Sequence, residues 1–327
     1  MEPIETLGVV AHPGGVLVRR PELTVGVVRA VARPSGLAVE LLSRTPREVA
    51  IRPAVAPRRL LPAYDEGMNL RVGWLEPDGR ARWEYVTTER GRSSPTGPTE
   101  RCGVYLLPPL FDEVSLVLAW PEIGFAETVL PLRLPARDEV EAAATSVWDA
   151  PRLGVPVTEE FDRHVSDFGP LDLAIEEGVV LAGPTVLHGS ADAVVVLTRA
   201  TAVGTALSVE LLSIARGALA AVFDQGFPPP RDEFLCRQAA IAEVRGRDAH
   251  QLRSMAATFS GGGGSGGFGG GGGGHGGGGG DDGGFGDRHL ASAEYSLRLP
   301  DGGVLDLVVS WSAVGLDEVR VRVPLNG

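Results

Sequence analysis

The chain's 327 residues and 34.2 kDa exceed what one hydrophobic core usually supports, so two domains are expected. All 30 basic side chains are arginine, which excludes a Schiff-base lysine and the lysine of a phosphate-binding P-loop. Against 42 acidic residues they leave a net charge of −12, a poor match for the phosphate backbone of DNA or RNA.

Residues 1–5 hold no basic stretch ahead of an apolar run, unlike a secretory signal. Residues 24–31 and 37–44 are rich in β-branched residues and leucine and flank Ala32-Arg33-Pro34-Ser35-Gly36, which predicts a β-hairpin. Alternation over 70–75 resumes over 81–86 after Glu76-Pro77-Asp78-Gly79 and predicts a second. After Pro135, Asp138 and Glu139 suit the first turn of a helix, and Val140, Ala144 and Val147 share one side of it, predicting a helix over 137–148. Residues 194–201 and 206–213 repeat the first hairpin around Ala202-Val203-Gly204-Thr205. Residues 295–299 and 304–311 read as a further hairpin around Pro300-Asp301-Gly302-Gly303, and 318–323 alternate as a half-exposed last strand. The most apolar stretch, 191–223, is broken by Arg199, Glu210 and Arg216, against a membrane-spanning helix.

An internal match organises these elements. Residues 25–43 laid over 195–213 give ten identities in 19 pairs, among them Arg29/Arg199, Glu40/Glu210 and Ser43/Ser213. Residues 116–127 lie over 307–318 and align Trp120 with Trp311, Gly124 with Gly315 and Glu127 with Glu318. The offset grows from 170 to 191 between the two matches, and the run 261–286, with 20 glycines in 26 positions, falls in that interval. The expected fold is mainly β: two tandem, internally duplicated β-sandwich-like or small-barrel modules with a short connecting helix and a glycine-rich insertion. The first module spans 1–135 and the second 181–327, with a disordered loop at 261–286. The connector, 136–180, holds 11 acidic and 3 basic residues, a solvated hinge or a surface for a basic partner.

Chemistry-bearing residues are sparse. In the acidic segment Asp162, His164, Asp167 and Asp172 supply carboxylates beside an imidazole, the material of proton transfer or metal binding, but the spacing fixes no third ligand. His188 lies in no nucleophile-elbow pattern. His275, Asp281, Asp282, Asp287 and His289 in and beside the glycine run offer metal ligands, but ordering glycine costs about 1–2 kcal/mol per residue, which favours disorder. Cys102 and Cys236 allow at most one disulfide and read as buried small apolar side chains. Glu40 and Glu210 stand at the edge of a solvated face or pair across their hairpins with Arg29 and Arg199. Trp120 and Trp311 fill equivalent core positions or mark an interaction surface.

These readings converge on a cytoplasmic, noncatalytic protein-protein interaction or scaffold component, with a protein partner, no membrane insertion and no cofactor. One alternative is a hydrolase-like enzyme with His164, Asp167 and His188 at the interface between modules. Another is a small-molecule-binding module with an aromatic cavity around Trp74, Trp83 or Trp120.

Overall fold

The computed structural model describes residues 5–46, 56–62, 69–93, 98–165, 173–223, 238–254, 256–261 and 288–326. The fold is mainly β. Its first ten strands are β1 (Val9–Val10), β2 (Gly15–Arg19), β3 (Thr24–Arg33), β4 (Gly36–Thr45), β5 (Arg71–Leu75), β6 (Ala81–Glu84), β7 (Thr88–Ser93), β8 (Thr99–Leu107), β9 (Glu113–Trp120) and β10 (Phe125–Arg133). Helix α1 (Arg137–Ala143) leads to β11 (Val155–Pro156), β12 (Asp162–Val165), β13 (Val179–Ala182), β14 (Thr185–Gly189), β15 (Ala193–Val203) and β16 (Ala206–Arg216). After α2 (Ala218–Ala221) come β17 (Ala240–Arg245), β18 (Asp248–Gln251), β19 (Ala256–Gly261), β20 (Arg288–Arg298), β21 (Val304–Trp311) and β22 (Leu316–Pro324). No helix among the described residues is long and apolar enough to cross a membrane.

Four sheets result. Sheet I runs β1-β3-β4-β8-β7 with β2 also on β3, and sheet II runs β10-β9-β5-β6. Sheet III runs β13-β15-β16-β20-β19 with β14 also on β15, and sheet IV runs β11-β22-β21-β17-β18-β12. Alternation decides which faces close. Val25, Val27, Leu37, Val39 and Leu41 of sheet I pack against Val72, Leu116, Leu118 and Trp120 of sheet II. Val195, Leu197, Leu207, Val209 and Leu211 of sheet III meet Leu305, Leu307, Val309, Trp311 and Val321 of sheet IV. Both tryptophans are thus core residues rather than an exposed interaction surface.

The two sandwiches share local devices. The β3–β4 register shifts between Val27 and Arg29, and the β15–β16 register shifts between Leu197 and Arg199. With strict alternation each arginine would point into the apolar core with Val27 or Leu197. The extra residue of the bulge turns it to the opposite face, beside Glu40 or Glu210. Trp120 and Trp311 each start a one-turn 3-10 helix, at Pro121–Ile123 and Ser312–Val314, and each turn ends at a left-handed glycine, Gly124 (φ 87°) or Gly315 (φ 73°).

Several boundaries differ from expectation. The helix predicted over 137–148 ends at Ala143, because Ala144 turns extended, Ser146 bridges Thr6, and the Val147 amide donates to the Glu5 carbonyl at 2.7 Å. The first hairpin turns on two residues, Pro34 and Ser35, rather than five. The hairpin expected around 300–303 does not form: β20 lies in sheet III on β16 and β19, whereas β21 lies in sheet IV between β17 and β22. The Leu299 amide donates to the Thr205 carbonyl at 2.9 Å, so the Pro-Asp-Gly-Gly turn is a corner between layers.

A segment between the sandwiches covers the outer face of sheet IV. β11 pairs with β22 at one edge and β12 pairs in parallel with β18 at the other. Between them Val157 and Phe161 pack on Ala242, Val244, Ala249 and Val308. At the other end of the connector, the Glu176 backbone presses against Gly26 of β3, where a Cβ would stand 2.4 Å from the Glu176 carbonyl oxygen. Gly26→Ala is therefore expected to destabilise the protein by about 1–3 kcal/mol through overpacking. A urea midpoint unchanged from the parent protein would contradict the close approach.

Candidate functional site

The outer faces of sheets I and III meet at an ionic cluster. Glu40 and Glu210 are both buried, each 4% exposed, so neither borders a solvated face. Arg29 reaches both, with Nη2 3.2 Å from Glu40 Oε2 and Nη1 2.9 Å from Glu210 Oε2. Arg199 Nε lies 3.5 Å from Glu210 Oε2, and its Nη2 is 2.9 Å from Glu294 Oε1. Thr198 and Ser292 hydroxyls donate to the two Glu210 oxygens at 2.8 and 3.0 Å, and Ser208 donates to Glu294 at 2.7 Å. The Cys102 thiol donates to Glu40 Oε1 at 3.2 Å, so this cysteine is a partner of the cluster rather than a buried apolar filler.

The field inside the cluster follows from burial and neighbours. Burial opposes the charge of Arg29, but attraction from Glu210 and then Glu40 more than reverses this and raises its pKa. Arg199 is raised in the same way, against burial, by Glu210, Glu294 and Glu40. Arg33, whose Nε donates to the Thr6 carbonyl, has no such carboxylates, and burial with repulsion from Arg29 lowers it to about 10. The cluster is an ionic lock in which one arginine of the first sandwich bridges a glutamate of each.

The histidines stand elsewhere. His164, on β12 in sheet IV, has Nε2 3.3 Å from Asp248 Oδ1 and stacks on His250 with ring centroids 5.3 Å apart. His188, on β14 in sheet III, has Nε2 2.9 Å from the Asp317 carbonyl oxygen. The two thus lie on different sheets with different partners, and Asp167 and Asp172 lie outside the described residues. His289 is buried on β20, stacked on Phe223 at 4.0 Å, while His275, Asp281, Asp282, Asp287 and Cys236 lie outside the described residues. Trp83 Nε1 donates to the Leu60 carbonyl at 3.3 Å, and Trp74 packs on the first core.

A groove of about 370 Å³ opens on the outer face of sheet IV. Leu153, Val155, Val157 and Phe161 form its apolar wall, and Arg320 and Arg322 of β22 form the other. Val155 is 59% exposed. Arg320 is held against Asp306, with Nη2 2.8 Å from Oδ2, and its guanidinium lies 5.6 Å from the Phe161 ring centroid.

Several structural partners had no sequence signal of their own. Glu127 accepts the backbone N–H groups of Arg59, Leu60 and Leu61 at 2.6–2.9 Å, which ties residues 59–61 to sheet II. Its aligned counterpart Glu318 instead pairs with Arg163 of the segment over sheet IV. Buried Glu122 receives both Arg71 guanidinium nitrogens at 2.7 Å. Tyr105, opposite Val39, donates to the Leu70 carbonyl, and Tyr295, opposite Val209, donates to the Ala239 carbonyl. An offset of 190 aligning Tyr105-Leu106-Leu107 with Tyr295-Ser296-Leu297 would have found this pair.

Removing one member of a buried ion pair strands the other, so Glu210→Ala is expected to cost about 3–5 kcal/mol. The Arg29→Ala/Glu210→Ala double variant should cost less than the sum of the two singles, as measured by denaturant unfolding; strict additivity would contradict the contact. A pH effect follows from two histidines. Burial lowers the pKa of His188 and of His12, whose Nδ1 accepts the Gly14 N–H at 3.1 Å, a contact only the unprotonated nitrogen makes. Folding therefore favours their neutral forms. Their contribution is complete above the unfolded value of 6.5 and is lost as pH falls through the lower folded values. Unfolding curves between pH 7.5 and about 5 should show less acid destabilisation in His12→Gln/His188→Gln than in the parent protein.

No family model matches the chain, and no curated protein does. Among solved structures it is similar to bovine butyrophilin at 10% identity and a TM-score of 0.20, over 97% of this chain and 100% of that one. It is similar to the N-terminal periplasmic domain of ScsB from Proteus mirabilis at 10% identity and 0.20, over 97% and 99%. A conserved domain protein from Bacillus anthracis matches at 6% identity and 0.20, over 99% and 94%. At this TM-score none of the three informs fold or function.

Proposed function

We propose that the protein is a cytoplasmic, noncatalytic scaffold component built from two copies of one β-sandwich module, and that it binds a protein partner through the groove on sheet IV. Duplication is supported by the matched bulges at Arg29 and Arg199, the matched 3-10 turns after Trp120 and Trp311, and the equivalent placement of Tyr105 and Tyr295. The binding reading is carried by one observation: exposed Leu153 and Val155 form an apolar wall facing Arg320 and Arg322. Exposed apolar side chains cost solvation free energy unless a partner covers them, and neighbouring arginines give such a partner polar anchors. The edge strand β11 pairs with β22 over only two residues, Val155 and Pro156, which leaves little to obstruct an extended segment entering beside it. The ionic lock supports the scaffold reading, since it joins the sandwiches through charges that are costly to separate.

A small molecule in the same groove is a second reading, favoured by a volume within the range of ligand pockets. A photoreactive residue at Leu153 separates the two. Crosslinking to one protein at fixed stoichiometry is expected, falling about tenfold or more, near 1.4 kcal/mol, in Val155→Asp/Arg322→Ser with unchanged thermal unfolding. Crosslinking that survives the double variant would reject the groove. A compound retained in native mass spectrometry and lost in that variant would replace the protein partner with a metabolite.

A further inference from the structure

The connector's histidine has partners that its own segment does not supply. β12 lies parallel to β18 with Asp162 opposite Asp248 and His164 opposite His250. β18 lies antiparallel to β17 with His250 opposite Glu243. Residues directly opposite, and residues two apart in one strand, share a face. One face at the rim of sheet IV therefore carries a cross-strand row Glu243–His250–His164, with Asp248 and Asp162 beside it. We propose that this face binds a divalent transition-metal ion of the zinc class through His164, His250 and Asp248, stapling the connector to sheet IV.

The donor set supports that class. Two imidazoles and a carboxylate suit zinc, nickel or cobalt, and a fourth position remains for Asp162 or water. His164 already lies 3.3 Å from Asp248 and stacked on His250, so the three side chains are neighbours. As placed, no three His, Cys, Asp or Glu side chains among the described residues close around a common ion. Closure requires rotation about side-chain bonds. The side chains of His164 and Asp248 are 51% and 48% exposed and turn without disturbing a core. Glu243, buried opposite His250 with Arg245 Nη2 2.7 Å from its Oε2, stands where an outer carboxylate orients a ligating imidazole.

A second observation concerns β12 itself. All four of its residues are exposed, so no buried side chain anchors this edge of the segment. A shared ion would join β12 to β18 across 84 residues of sequence. The site is independent of the groove, which lies along β11 and β22 at the opposite edge of sheet IV.

Titration of the full chain with zinc, followed by calorimetry, and with cobalt, followed by visible absorption, tests the assignment. One ion per chain is expected, with affinity falling more than about tenfold in each of His164→Ala, His250→Ala and Asp248→Asn and unchanged in His275→Ala. Zinc should also slow hydrogen exchange of the 162–165 amides in the parent protein and not in His164→Ala. No binding at a large molar excess of either ion would overturn the proposal. So would binding that is lost in His275→Ala and retained in His164→Ala and His250→Ala, which would move the site to the glycine run.

Discussion

Burying Glu40, Arg199 and Glu210, with Arg29 half-buried beside them, where two sheets meet constrains everything around them. An isolated charge in such a place is penalised by several kcal/mol, so each must find its counter-charge whenever the sheets come together. Apolar faces tolerate sliding, because one contact replaces another of similar energy. Charges do not, since a shift of one residue would set arginine against leucine. The cluster therefore bears on how the sandwiches register as well as joining them. The surrounding hydroxyls of Thr198, Ser208 and Ser292 serve the same end by occupying carboxylate lone pairs that the guanidiniums leave free.

The bulges are what make such a cluster compatible with two apolar interiors. Val25, Val27, Ala30 and Ala32 all face the first core, a set that strict alternation cannot place on one face. Inserting Val28 resets the phase, keeps both apolar pairs inward and delivers Arg29 outward. Leu197, Arg199 and Ala200 repeat this in the second sandwich. The covers over the outer sheets were solved differently in the two halves. Glu127 gathers backbone N–H groups of residues 59–61, whereas Glu318 takes the guanidinium of Arg163. Glu122 binds Arg71, yet the aligned position in the other half is Ala313.

How much of this was legible depends on how local each signal is. The hairpins β3–β4, β5–β6 and β15–β16 follow from alternation and turn residues within about 20 positions, and all three appear in the structure. The pairing of Arg29 with Glu40 is legible for the same reason, since a hairpin brings adjoining strands together. Its reach to Glu210 is not, because no short-range pattern says which faces of two sheets meet. The corner at 300–303 has the composition of a hairpin turn, and only the strands already beside β20 and β21 decide that the chain changes layer. The partners of His164 lie on β18, 84 residues away, so the acidic segment read alone offers an imidazole and carboxylates without a completed ligand set.

The connector carries a difference in kind between the halves. The first sandwich covers sheet II with residues from inside its own stretch of sequence, among them Ala56 and Leu61, which are buried. The second borrows 155–165, which follows α1 and a stretch packed on sheet III through Val147 and Ala150, and which pairs with both edges of sheet IV. Val157 and Phe161 are the apolar grip of that cover. At the β11 end the Leu153 and Gly154 amides donate to the Val186 and Leu187 carbonyls of β14. At the β12 end the contacts include a short ladder, the Arg163–Glu318 pair and the His164–Asp248 contact. The ionic and imidazole contacts at the β12 end are about half exposed and therefore weak in water. The groove beside β11 and the imidazole row beside β12 are at these two ends. Ligands that bind only the closed cover would stabilise it by mass action.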